Sequence, residues 1–154
     1  MMRRSRAREV VLQLLYQHDH NPLVDPQVIR AFLEGRLKEP GLVAFAESLY
    51  RGVLEHLPEL DARLAAVAEN WTVERMAAVD RNVLRIGAYE LLYCPETPKA
   101  VAIDEAIEIA RRYGSADSPA FVNGVLDRLA DQERQESSGP VQEPSTDSER
   151  GETA

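Results

Sequence analysis

Proline divides this chain into segments the length of ordinary helices, and that punctuation constrains the fold more than any other feature. Before residue 133 it stands at positions 22, 26, 40, 58, 95, 98 and 119. The residue before a proline is pushed away from helical backbone angles, so helices end there or begin just after. Asp25-Pro26 offers a side-chain cap followed by proline at the first helical position, and Thr97-Pro98 repeats the signal. Ser118-Pro119 marks a third such start.

Between these marks the apolar residues recur three and four positions apart, and no alternating strand pattern is present. A first helix is expected over about Ser5 to Asp19, with Val10, Val11, Leu14 and Leu15 inward. Ile29, Phe32 and Leu33 mark a short second helix after Pro26. Leu42, Phe45, Ala46, Leu49 and Val53 mark a third, from Pro40-Gly41 to near Leu57-Pro58. Leu60, Leu64 and Val67 place a fourth running to Asn70. Thr72 is a capping signal for the next, most apolar segment, Met76 to Tyr93. A further helix spans about Lys99 to Tyr113, with Gly114 expected to stop it in the left-handed conformation. Phe121, Val122, Val125, Leu126 and Leu129 supply the apolar face of the last. Gly87, inside the most apolar segment, costs about 1 kcal/mol relative to alanine and predicts a close helix crossing.

The pattern therefore predicts an all-α fold, six to seven helices in two packed three-helix-type bundles, over residues 1–132. From 133 to 154 Ser, Gly, Pro, Gln and Glu replace the apolar residues. Such a segment cannot bury enough surface to offset its ordering entropy, so a disordered acidic tail is expected. No run of about 18 apolar residues points to a membrane, and the basic N-terminus lacks the apolar stretch of a secretory signal. Cys94 is the single cysteine, which excludes an internal disulfide and a Cys-rich metal site. A cytoplasmic location follows as the expectation.

A net charge of −8 argues against nucleic acid only until it is divided along the chain. Arg3, Arg4, Arg6 and Arg8 precede the first acidic residue, Glu9, while acidic residues crowd the last two dozen positions. Screening confines surface electrostatics to about 8 Å at physiological salt, so local charge decides where a polyanion sits. Guanidinium groups pair with phosphates and stack on bases, and Tyr16 follows on the same helix, with Arg8 and Gln13 read as sharing an exposed side. A single-stranded RNA uses both charge and flat rings; a frayed arginine tail that only aids solubility is the alternative.

A second candidate is the corner Gly114 to Phe121, where a helix begins with free amides and Phe121 stands ready to stack a base. Core packing of Phe121 and simple capping by Ser118 are the alternatives there. A third is the stripe Asp80, Arg81, Leu84 and Arg85, at helix spacings that share one side, preceded by Glu74 and Arg75. It reads as a protein-binding surface or as the solvated flank of an amphipathic helix. Asp104, Glu105 and Glu108 suggest paired carboxylates, but neighbours on a helix diverge by about 100° and Arg111 and Arg112 are ordinary partners for Glu108. His18, His20 and His56 lack metal-ligand spacing, and no phosphate-binding glycine loop occurs. No catalytic residue, metal or cofactor is expected.

Four blocks taken in order, Arg3 to Glu9 with Leu14-Leu15-Tyr16-Gln17, Val79 to Tyr93, Ile103 to Ala110 and Phe121 to Leu126, resemble the NusB family of bacterial transcription antitermination factors. The resemblance implies a non-enzymatic RNA-binding adaptor. With NusE, a small-subunit ribosomal protein, it would bind boxA-like single-stranded RNA in ribosomal RNA leaders and join the elongation complex of RNA polymerase. It implies RNA contacts at Arg3, Arg4, Arg6, Arg8 and Tyr16, and at Asp117 and Phe121. Asp117 would accept a base or sugar hydrogen, since a carboxylate repels phosphate. It further implies NusE contacts at Glu74, Arg75, Asp80, Arg81, Leu84 and Arg85. Two rivals remain. One is a protein-only helical adaptor. The other is the RNA-binding domain of an rRNA methyltransferase, against which stands the expectation that the helical pattern ends near residue 130 with only the acidic tail beyond.

Overall fold

The computed structural model describes residues 2–22, 25–69 and 71–137, with side chains from residue 4 to residue 136. Seven helices occur among them: α1 (Met2–His20), α2 (Pro26–Leu37), α3 (Pro40–Glu55), α4 (Leu57–Val67), α5 (Ala78–Tyr93), α6 (Lys99–Tyr113) and α7 (Ser118–Ser137). A single 3-10 turn, Val73–Arg75, precedes α5. Helices α1, α2 and α3 pack on one another, and α5, α6 and α7 form a second trio with α4 laid over α5 and α7. Helix α5 also contacts α1 and α3, which joins the two groups.

The central place of α5 follows from its composition. Val83, Leu84, Ile86, Gly87, Ala88 and Leu91 are buried, and so are Asn82, Arg85 and Glu90. A helix buried on every side belongs in the middle of a fold, and each large aliphatic side chain so enclosed contributes about 1.5–3 kcal/mol. Gly87 has the expected role: a Cβ there would stand 2.7 Å from Leu126 Cδ1 of α7 and 3.4 Å from the Ala106 methyl of α6. Gly52 does the same for α3 without any sequence signal, because a Cβ there would overlap the Tyr89 ring.

Several local expectations shift. Asp25 caps α2 as read, its carboxylate accepting the Gln27 N–H at 2.9 Å. Thr72 and Thr97 do not cap with their side chains. Thr97 is buried instead, and its backbone N–H closes a turn onto the Cys94 carbonyl at 3.0 Å. Gly114 ends α6 in extended backbone (φ −95°, ψ −168°) rather than the left-handed region. The one described non-glycine residue there is Lys38 (φ 63°), just past α2. The last helix continues through residues 133–137, where the tail was expected. Arg63 of α4 reaches both Glu133 and Glu136 at 3.4 Å, so side chains that looked like tail composition fasten the helix end. Residues 138–154 lie outside the described residues.

Two polar seams tie α1 to α5, which run antiparallel. At one end Arg8 donates from Nε and Nη2 to the two carboxylate oxygens of Glu90, at 2.7 and 2.8 Å, with Glu105 of α6 3.7 Å away. At the other, Asp19 accepts from Arg81 (3.0 Å), Asn82 (2.9 Å) and Arg85 (3.2 Å). Arg85 also forks onto Asp61 of α4 at 2.9 and 2.8 Å.

Candidate nucleic-acid interface

The turn before α5, the first turn of α5 and the start of α7 enclose a cleft of about 580 Å³. Trp71, Arg75, Met76, Asp80, Asp117 and Phe121 line it. Trp71 is half exposed and stands edge-on to the Phe121 ring, centroids 6.4 Å apart. Phe121 packs partly against the core, as the core-packing alternative expects, and also lines the cleft. Asp80 Oδ1 is enclosed and accepts no hydrogen bond from the protein.

The corner beneath this cleft is built by Ser118. Its buried hydroxyl accepts the Ser115 N–H at 2.9 Å, folding the loop back over the start of α7. A Cβ at Gly114 would overlap that hydroxyl and stand 2.8 Å from the Ala110 carbonyl oxygen, so the tight approach, not a left-handed angle, requires glycine.

The arginine arm divides. The Arg3 side chain lies outside the described residues. Arg4 is exposed, with Cζ 4.5 Å from the centroid of the Phe45 ring, and Arg6 is exposed while bonding Glu9 at 3.3 Å. Arg8 is corrected: it is 3% exposed, locked to Glu90, and cannot lie along a ligand. Burial alone would lower its pKa, but the Glu90 hydrogen bonds and charge outweigh this and raise it above the ordinary arginine value. Tyr16 is outward and stacks on His20, centroids 4.6 Å apart. At about 100° per residue, Arg6, Gln13, Tyr16, Gln17 and His20 fall on one exposed face of α1.

The expected stripe on α5 also divides. Leu84 is fully buried and Arg85 is enclosed by Asp19 and Asp61, so neither forms part of an open protein-binding surface. Burial would lower the Arg85 pKa, yet its bonds and charge interactions with Asp61 and Asp19 hold it raised. Arg81 is engaged by Asp19. Asp80 and Arg75 turn into the Trp71–Phe121 cleft, while Glu74 lies on the wall of a second opening beside Asp19, Asp61 and Arg81. Two groups taken from separate expectations, Asp117 with Phe121 and Arg75 with Asp80, thus share one site. Trp71, just before the Thr72 signal, completes it, although no sequence reading singled it out.

Charge neutralisation narrows the set that can meet phosphate. Among the described residues, Arg4, Arg36, Arg75 and Arg128 are the arginines without a carboxylate partner. Arg128 donates to the Val67 carbonyl at 2.7 Å. Arg4, Arg36 and Arg75 are exposed and keep their charge for a ligand.

The family model described as "NusB family" matches residues 5–131. The transcription antitermination protein NusB of Sorangium cellulosum is 47% identical over 128 residues, covering 83% of this chain and 91% of that protein. The Geobacter sulfurreducens NusB is 44% identical over 130 residues, covering 82% and 93%. Among solved structures, NusB from T. maritima superposes with a TM-score of 0.74 at 40% identity, covering 84% of this chain and 91% of that one. This chain belongs to the NusB family. The same fold occurs in a crystal structure of antitermination factors NusB and NusE in complex with dsRNA, at a TM-score of 0.77, 22% identity and 86% and 98% coverage.

NusB proteins act in transcription antitermination and not in catalysis, and the carboxylates that suggested an acid–base pair have structural roles. Glu105 accepts the Ser5 hydroxyl at 2.7 Å and neighbours Arg8. Glu108 pairs with Arg111, as its spacing implied, but Arg112 crosses to Glu9 of α1 instead. No cluster of His, Cys, Asp and Glu able to hold a metal occurs among the described residues, and no described helix is long and apolar enough to cross a membrane. Burial, with Glu96 and Glu90 nearby, pushes the Cys94 thiol up to about 11, leaving it protonated and unreactive at neutral pH.

Proposed function

We propose that this NusB-family protein binds boxA-like single-stranded RNA of ribosomal RNA leaders together with NusE in the cytoplasm. The resulting complex joins elongating RNA polymerase and suppresses termination. The observation that carries the reading is the Trp71–Phe121 cleft, which sets an unpaired guanidinium, two aromatic rings and two carboxylates around one opening. Arg75 meets phosphate, the rings take a base by stacking, and Asp117 accepts a base or sugar hydrogen. Asp80, with an unpartnered oxygen, takes a second. Tyr16, and Arg6 beside Glu9, extend the track along the outward face of α1, while Arg4, seated over Phe45 on the other side of the helix, adds charge at its start. NusE is assigned to the side carrying Glu74 and Arg81, where the acidic Asp19, Asp61 and Glu74 suit a basic partner.

Fluorescence anisotropy with a labelled boxA-like RNA, with and without NusE and across salt, tests this. Expected are tighter binding with NusE and a log–log salt slope of about −0.7 per phosphate contact. Phe121→Ala should weaken binding about tenfold, the scale of one stacked base. Equal, weak binding of a scrambled RNA under all conditions would overturn the reading.

A further inference from the structure

The exposed face of α1 does not stop at its own edge. Gln13 and Gln17, one turn apart, open together with Leu14 onto a groove of about 440 Å³ whose other wall is Phe32 and Arg36 of α2. Arg36 lies over the Phe32 ring with Cζ 3.6 Å from the centroid, which is stacking distance, so its position is set before any ligand arrives. It is one of the exposed arginines that no carboxylate neutralises in this acidic protein. Another exposed guanidinium seated on an aromatic ring, Arg4 over Phe45, lies at the start of α1.

We infer that the α1–α2 groove is a base-binding subsite for single-stranded RNA, centred on Arg36 stacked over Phe32 and edged by Gln13 and Gln17. The inference rests on the RNA-binding reading above and extends it to a helix that no sequence signal had implicated. A guanidinium already flat on a ring offers a planar outer face for a base, while its N–H edges remain directed outward for phosphate. The two amides each present one donor pair and one acceptor, the complement of a base edge. A carboxylate-rich peptide would also meet the free charge, but it would leave the planar face and both amide acceptors unused. Chemistry therefore favours RNA.

Anisotropy with two fluorescein-labelled single-stranded RNAs distinguishes the outcomes, one near the short and one near the long end of the about 4–16 nucleotides that a small domain covers. Arg36→Ala should weaken the long RNA about tenfold, flatten its salt slope by about 0.7, and leave the short RNA within about twofold. Arg36→Lys keeps the charge and loses the flat face. It should restore the salt slope without restoring affinity, a split that mere loss of surface charge would not produce. Thermal melts of both variants matching the wild type exclude misfolding. If both variants bind the long RNA like the wild type, the subsite is refuted while the cleft and arm stand. If they lose only a protein partner, the groove is a protein site and the proposal is overturned. If the wild type binds neither RNA, the RNA reading itself falls first.

Discussion

The two seams between α1 and α5 use the same residue types to opposite effect. The Arg8–Glu90 pair is closed, with side chains 3% and 1% exposed, and bidentate. The Asp19 network is open at one side: Arg85 is 9% exposed, Asp19 16% and Asp61 30%, and three donors share one carboxylate. A closed ion pair contributes little net stability over an apolar pair, yet is costly to half-remove, because the survivor is a buried, unpaired charge. An open network lets water replace a missing partner. The closed seam therefore fixes how the two helix groups meet, and the open seam adjusts strength with conditions.

Breaking the closed seam should have the largest effect. Arg8→Met leaves Glu90 stranded and should cost about 3–5 kcal/mol in urea unfolding, most of it recovered by Arg8→Met with Glu90→Leu. A single variant no worse than the double would erase the distinction between the seams. Arg85→Met should cost less, about 2 kcal/mol, since Asp61 can regain hydration.

Asp19→Asn should cost about 1 kcal/mol near neutral pH, and acid separates it from the closed seam. Burial raises the Asp19 pKa, but bonds from Asn82 and Arg81 and the Arg85 charge outweigh that and hold it below 3.8. Its contribution is complete above that value and is lost as pH falls through the lowered folded value. The gap between wild type and Asp19→Asn should therefore close on acidification. Arg8, held above the ordinary arginine value by Glu90, keeps its charge throughout the working range, so no alkaline loss is expected there. The smallest effect should come from salt. At about 1 M, where the Debye length is about 3 Å, the Asp19 gap should shrink by a few tenths of a kcal/mol while the Arg8→Met penalty stays. Equal shrinkage of both would mean that Arg8 is wetter than its surroundings indicate.

What the sequence made legible depends on range. Proline and Asx signals act within a turn or two, so the helix order, the start of α2 at Asp25-Pro26 and the packing role of Gly87 could be read directly. Arg8 could not, because its partner lies 82 residues away and only the fold sets Glu90 inside its reach. Leu84 and Arg85 misled for a related reason. Over its buried middle α5 has no free flank, and Arg85 is satisfied inward by Asp61 and Asp19. Trp71 was passed over although it is the chain's single tryptophan and has no place in a helical stripe, which was itself a sign of a surface role. Lys38 in the left-handed region and Gly114 outside it reverse the usual preference, since close approach of Ser118 selects glycine at one and nothing local signals the other.

Fastened to α5 near both ends, α1 holds its outward face as a ruler. From Arg6 to His20 is fourteen residues, about 21 Å of fixed length at the helical rise. A flexible strand that settles against it must surrender its own freedom, while the protein gives up almost none. If RNA lies along this face, as proposed above, a strand whose bases cannot adopt that spacing would be refused by geometry before its chemistry is consulted. On that reading the ordering entropy of recognition would fall on the ligand strand, the protein's share having been met when it folded.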